Sequence, residues 1–293
     1  MPIKKQVVEN YRDYELLIMK FHEFISMVFP NISFKEWYLK GFWTENYIPF
    51  SIIESGKIIS SASAAIMEVI YQGQNKKAIQ IGAVGTLPEC RNQGLSRLLM
   101  DHIINKYEDD VDFFFLHANE TVLEFYPKFS FRSIKENSFE MISNIPKPTF
   151  SARKLNIDDK GDYSLLIKLI SNRKLVTKLF GAKNYTFITM WHIINLYKNN
   201  LFYLEKEELV VIKNEKADTM YIVDVIFGRP FNFNLVLPNF ISSDSIKSIK
   251  YYFPPDQLKY NYDKIVKEDT GLFILGNLEL ENMQFRYPET AVT

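Results

Sequence analysis

The sequence predicts an α/β fold with a mixed sheet in its first half, followed by a second domain that repeats the same coarse order. Three observations carry this. Two helical stretches precede three strand-like segments in a row, and helix and strand then alternate up to about residue 141. After residue 150, helices again lead into a three-strand run. The second half could be a worn copy of the first, although no shared residue pattern demonstrates duplication.

The elements follow from spacing. Residues 9–29 place Tyr14, Leu17, Ile18, Phe21, Phe24, Ile25 and Val28 at helical intervals, and Pro30 stops the run. Ser33 and Glu36 have capping-box spacing, which predicts a short helix to Lys40. Residues 48–54, 57–71 and 77–87 read as an antiparallel meander, with turns at Ser55-Gly56 and at residues 72–75. The third strand is nearly all apolar or small after Lys77, as expected of a strand covered on both faces. Residues 95–107 carry Leu98, Leu99, Ile103 and Ile104 on one side of a helix. Residues 111–117 read as a buried strand, 120–128 as a short helix, and 131–141 as the last strand of this half. Residues 162–200 look largely helical; strands are expected at 201–204, 208–213 and 219–227, and near 246–253 and 272–275.

A length of 293 residues exceeds most single domains, so two are expected. Ile145-Pro146-Lys147-Pro148 is the linker candidate, because its prolines favour extended backbone. This divides the chain into 1–145 and 150–293. Lys plus Arg and Asp plus Glu are 35 each, which gives no long-range pull toward nucleic acid or an anionic membrane. Cys90 is the only cysteine, so an intrachain disulfide or a cysteine metal cluster is excluded. No run approaches the roughly 18 apolar residues that span a bilayer. The start, Met1 to Gln6, leads into a charged segment, not a signal core. A cytoplasmic protein without metal is expected.

The stretch from Val84 to Met100 carries the chemistry. A buried strand ends at Pro88, and a small, polar loop runs into an apolar-faced helix. The first N–H groups of a helix lack internal partners, and the helix dipole is positive there. A glycine at such a junction lets the backbone approach a pyrophosphate. Arg91 and Arg97 could add charge-assisted contacts. One glycine in a βα loop is common; the whole strand-Pro-x-x-Arg-x-x-Gly-helix context carries the reading.

That context resembles the GCN5-related N-acetyltransferases. Thr86-Leu87-Pro88-Glu89-Cys90-Arg91-Asn92-Gln93-Gly94 matches their Val-x-Pro-x-x-Arg-x-x-Gly signature with Thr for Val, and Ser96 takes the place of a small Gly or Ala. Downstream, Asn119 and Phe125-Tyr126-Pro127-Lys128-Phe129-Ser130-Phe131 resemble the family's Asn…Phe-Tyr-x-x-x-Gly-Phe block, with Ser130 for Gly. The resemblance covers about residues 9–142 and implies acetyl-CoA as co-substrate. It implies backbone contacts from Val84, Gly85 and Thr86 to the pantetheine arm. It also implies pyrophosphate contacts from Arg91, Asn92, Gln93, Gly94, Leu95, Ser96 and Arg97, and a contact from Asn119. Strands 77–87 and 111–117 would splay around the cofactor. Tyr126 matches the family tyrosine that protonates the leaving thiolate, a role suited to a phenol with a pKa near 10.

The base for the amine is open between Glu68 and His117, and neither is preferred. Tandem arrangements with one degenerate copy occur in this superfamily, among relatives of the enhanced-intracellular-survival acetyltransferases. Residues 150–293 contain no loop resembling Arg91–Ser96, so that half would lack a CoA site. It could wall the acceptor pocket, with residues 227–231 and 251–255 lining it, or build the interface of a homo-oligomer. Two functions stand: an N-acyltransferase acting on a primary amine of a small molecule or peptide, and a non-catalytic acyl-CoA-binding or assembly protein that kept only the loop.

Overall fold

The computed structural model describes residues 6–293; Met1–Lys5, part of the start read as charged, lie outside the described residues. The chain opens with strand β1 (Gln6–Glu9), then α1 (Glu15–Val28) and α2 (Lys35–Leu39). The expected first helix therefore begins later, and β1 pairs antiparallel with β2 (Tyr47–Glu54). α1 buries Ile18, Phe21, Phe24 and Ile25, which share one face at helical spacing. Ser33 Oγ accepts the N–H of Lys35 at 3.2 Å, but Glu36 bonds to Lys40, so the capping box does not form.

β3 (Lys57–Tyr71) and β4 (Gln74–Thr86) complete the meander. Its two-residue turns, Ser55-Gly56 and Gln72-Gly73, have positive φ at both positions, which matches the right-handed twist of the flanking strands. α3 (Leu95–Tyr107) follows, then β5 (Phe113–His117), which lies parallel to β4. The segment expected as helix 120–128 is two 3-10 turns, Glu120–Val122 and Tyr126–Phe129. Pro127 withholds an N–H, and Ser130 at φ 65° turns the chain away.

The expected strand 131–141 is divided between two sheets. β6 (Arg132–Ser133) stays in the first, whereas β7 (Glu136–Met141) pairs in the second. Next come β8 (Arg153–Lys154), α4 (Lys160–Ser171), β9 (Phe180–Lys183) and α5 (Thr186–His192), continued by a π turn over Ile193–Tyr197. The stretch read as helical thus contains a strand, which pairs with β3. β10 (Leu201–Leu204), β11 (Leu209–Lys216), β12 (Thr219–Phe227), α6 (Phe233–Val236), β13 (Ser248–Tyr251), β14 (Lys264–Glu268) and β15 (Leu272–Gly276) finish the chain.

The result is two mixed sheets in an α/β arrangement. The first runs β1-β2-β3-β4-β5-β15-β6 with β9 beside β3; the second runs β14-β7-β13-β12-β11-β10-β8. β15, late in sequence, is inserted between β5 and β6. Gly271 makes that entry possible: at φ +76° a Cβ would stand 2.1 Å from the Ala118 carbonyl oxygen. The Pro-rich stretch 145–148 connects β7 to β8, two strands of the same sheet. One apolar core runs from Tyr11 through Phe180 to Ala291, so the two halves share it.

Candidate active site

The β4–β5 ladder pairs only Ala78–Gln80 with Phe113–Phe115. Beyond Gln80, the β4 edge facing β5 has no strand partner among the described residues. A bulge reinforces this: Ala83 sits at φ 49°, between Gly82 paired with Ser63 and Gly85 paired with Ser61. The amides and carbonyls around Val84, Gly85 and Thr86 therefore border an open cleft.

Thr86 leads into a 3-10 turn, Pro88–Cys90, which buries Cys90. Asn92 at φ 61° and Gly94 at φ 74° then wind the chain the left-handed way. Successive turns of this kind gather N–H groups on a concave face. Gly94 precedes Leu95, and no side chain caps the exposed donors of α3. A Cβ on Gly94 would meet nothing within 4 Å, so the space in front of it is open. Thr86 Oγ1 bonds to both Ser60 Oγ and Ser96 Oγ at 2.8 Å, tying strand end to helix start. Arg91 Nε donates to the Thr86 carbonyl at 3.3 Å, and the Arg97 guanidinium lies 4.9 Å from the Phe129 ring centre. Both arginines are exposed at the mouth of the loop.

Across the cleft, a cavity of about 320 Å³ is lined by Gly82, Ala83, Val84, His117, Asn119 and Tyr126. Tyr126 is buried among the rings of Phe125, Phe131 and Phe273. Burial raises its pKa from 10.0 to about 12. The phenol therefore stays protonated through the alkaline range. If it is the proton donor, kcat measured against pH will hold level to about pH 10, with no descending limb from this group. A fall centred near pH 8 or 9 would assign that limb to another residue.

His117 also faces this cavity, and its Nε2 lies 3.3 Å from Glu136 Oε2. Glu136 is fully enclosed and accepts from Thr270 Oγ1 and, at 2.6 Å, from the Tyr287 N–H. Burial disfavours its charge, but hydrogen bonds from His117 and Thr270 and the charge of Arg286 outweigh it, and the carboxyl is held below the usual carboxylate range. Glu68, the other base candidate, accepts from Asn184 at 3.0 Å on the far reach of β3 and does not line the cavity.

The structure thus brings Val84, Asn119 and Tyr126 together around one cavity. Gly85, Thr86 and the loop from Arg91 to Arg97 continue the same strand end. Sequence reasoning missed Thr270, Trp191, His192, Val292 and Thr293, which reach the cavity from the second half. No motif marks them. The aromatic stretches expected to line it do not: Phe227, Pro230 and Phe231 border a separate cavity of about 510 Å³. Tyr251 and Phe253 are core residues of the second sheet. Among the described residues no group of three or more His, Cys, Asp or Glu is arranged to hold a metal. No helix among them is long and apolar enough to cross a membrane.

The site is thus an unpaired strand end that runs into a glycine loop and an uncapped helix start. Residues 34–134 match the family model described as an acetyltransferase (GNAT) domain. Among curated proteins it is similar to N-alpha-acetyltransferase 50 of Danio rerio, 32% identical over 88 residues, or 28% of this chain and 52% of that protein. The chain thus spans about half the length of that relative. Solved structures share the fold over both halves. A conserved Enterococcus faecalis protein of unknown function, described as a probable N-acyltransferase, superposes with TM-score 0.63 at 15% identity, covering 92% of this chain and 72% of that one. A GCN5-related N-acetyltransferase from Kribbella flavida gives 0.55 at 12%, covering 92% and 71%. Eis1 from Mycobacterium abscessus gives 0.55 at 11%, covering 92% and 72%.

Proposed function

We propose that this chain transfers an acetyl group from acetyl-CoA to a primary amine by direct attack in a ternary complex. The observation that carries the reading is the continuity of one surface. The free edge of β4, the left-handed loop at Asn92 and Gly94, and the uncapped start of α3 lie in sequence, with Asn119 and Tyr126 opposite. That surface suits a long co-substrate with an amide-bearing arm and a diphosphate.

In this reading Val84, Gly85 and Thr86 hold the arm through backbone groups. The amides from Asn92 to Arg97 hold the diphosphate, with Arg91 and Arg97 adding charge. The co-substrate supplies an activated acyl thioester. Tyr126 gives its proton to the departing sulfur as the C–S bond breaks. His117, fixed through Nε2 by Glu136, is the side chain assigned as base for the amine; its Nδ1 is enclosed and has no hydrogen-bond partner among the described residues. His192 is a poorer base: its Nε2 bonds to the Val292 carbonyl at 2.6 Å and burial lowers its pKa.

Two measurements test the proposal. At about 1 mM, CoA is expected to raise Tm by roughly 5 °C, as a ligand near a hundredfold above its Kd would. Thiol release from acetyl-CoA is expected to require an added amine. Gly94→Val puts a branched side chain into the open space before α3 and strains a left-handed residue. It should remove more than half of the CoA-induced shift while lowering the ligand-free Tm by only a few degrees. Thermal protection with no amine-dependent turnover would instead favour a non-catalytic acyl-CoA binder.

A further inference from the structure

The cavity of about 510 Å³ beside Phe227, Pro230 and Phe231 shares no residue with the cavity at Tyr126. It is also far from the co-substrate loop. It borders β9, whose Lys183 pairs in register with Glu68 on β3. At about 3.3 Å per residue, Glu68 stands more than roughly 20 Å along β3 from Ser61, the partner of Gly85. The volume is ordinary for a small-molecule site.

Its charged side chains are of one sign. Arg173, Lys174, Lys178 and Lys183 line it, and no Asp or Glu among the described residues does. The chain carries 35 residues of each sign, so composition does not explain the bias. Arg173 is neutralised by Asp224 and lies 4.9 Å from the centre of the Tyr185 ring, which makes it part of a fixed floor. The three lysines form no ion pair among the described residues; Lys183 donates to Asn75 at 3.3 Å. Two carboxylates stand nearby and are engaged elsewhere. Asp256 accepts from the Lys178 N–H at 2.7 Å and from Gln257 Nε2 at 3.0 Å, and Glu68 accepts from Asn184 Nδ2. The lysines remain in excess, and ammonium groups around one cavity repel until an anion lies between them.

The frame around them is fixed. Lys174 and Lys178 sit on the segment between α4 and β9, which contains neither glycine nor proline. The Lys174 N–H bonds to the Phe227 carbonyl at 2.7 Å, and the Lys178 and Leu179 carbonyls accept from Gly73 and Gln72 at 2.8 Å. Phe227 and Phe231 meet edge to face at 5.2 Å, and Phe231 is only half-buried, which leaves ring surface for a planar ligand. Lysines are point charges on flexible stems; three of them suit a phosphate, whereas a planar carboxylate favours the arginine fork.

We propose that this cavity binds a small aromatic phosphate, its ring against Phe231 and its phosphate among Lys174, Lys178 and Lys183. The site is separate from the co-substrate loop and does not depend on the acetyl-transfer reading.

The test is calorimetric titration of the full chain with AMP at low salt, in the presence of saturating CoA. A Kd below about 1 mM is expected, and within about twofold of it in Gly94→Val. Adenosine and ribose 5-phosphate, which each keep half of the contacts, should bind at least about tenfold more weakly. Lys174→Gln with Lys178→Gln should weaken AMP about tenfold or more and reduce its salt dependence, with Tm unchanged because neither side chain is paired. Phe231→Ala should weaken AMP about fivefold or more and leave ribose 5-phosphate within about twofold. AMP that competes with CoA, or is lost in Gly94→Val, belongs to the co-substrate loop, and the assignment falls. It falls equally if the lysine substitutions leave AMP binding at the parent level, or if neither AMP nor phenyl phosphate binds at about 5 mM. Ribose 5-phosphate binding as well as AMP overturns the part given to the ring.

Discussion

Tyr126→Phe is expected to lower kcat by about 10² to 10⁴ while CoA still protects the protein from heat. At about 1.36 kcal/mol per tenfold, this is a barrier increase of roughly 3 to 5 kcal/mol. The substitution removes one hydroxyl and keeps the ring that packs against Phe125, Phe131 and Phe273. No hydrogen bond to a described neighbour is broken, since burial alone acts on the hydroxyl and it has no bonding partner among the described residues. A structural role would therefore leave both Tm and rate near the parent values. A proton-donor role separates them: single-turnover thiol release falls while Tm and the CoA-induced shift stay. At neutral pH the whole population of the phenol carries the proton, so the parent enzyme is fully competent as donor there. A variant with the parent rate would make Tyr126 one more core ring in a chain that holds 24 Phe and 17 Tyr.

The same contrast explains what the sequence made legible. The segment from Thr86 to Tyr107 was readable because its conformation is decided locally. A proline ends the strand, Gly94 takes the left-handed position, and the apolar stripe begins at Leu95. Strand 57–71 and helix 95–107 agree with their expected bounds at both ends. Partnership over long distances was not readable. Leu272-Phe273-Ile274-Leu275 announces a buried strand, but nothing in those four residues says that it enters between β5 and β6. Likewise Glu136–Met141 has the pattern of a strand in either sheet. Side chains that reach a cavity from a distant segment, such as Trp191 and Thr293, carry no spacing that links them to Tyr126. The Glu136 carboxylate behind His117 is of the same kind: 19 residues separate them, and only the fold brings them to 3.3 Å.

Asp224→Ala is expected to cost about 3 to 5 kcal/mol of stability, read as a fall in urea midpoint. Asp224 on β12 is 1% exposed and meets Arg173 in a two-point pair, Nη1 to Oδ2 at 2.9 Å and Nη2 to Oδ1 at 2.6 Å. It also accepts from the Val225 N–H at 2.7 Å and from Thr290 Oγ1. Truncation leaves a buried guanidinium without its counter-charge and two donors without an acceptor, which is why the loss exceeds that of a surface pair. Replacing both partners, Arg173→Met with Asp224→Leu, should recover a large part of it, because the attraction within the pair is largely offset by its desolvation. Thr290→Val separates folding from function. It removes the hydroxyl that bonds Asp224 and Tyr185 and so loosens the segment that carries Val292 and Thr293 into the cavity. Its expected cost is about 1 kcal/mol, and its larger effect should fall on the KM for the amine, not on that for acetyl-CoA. If Asp224→Ala moved the midpoint by less than about 1 kcal/mol, water would be reaching the pair. The second sheet would then not be what holds the end of the chain against the strand at Gly82.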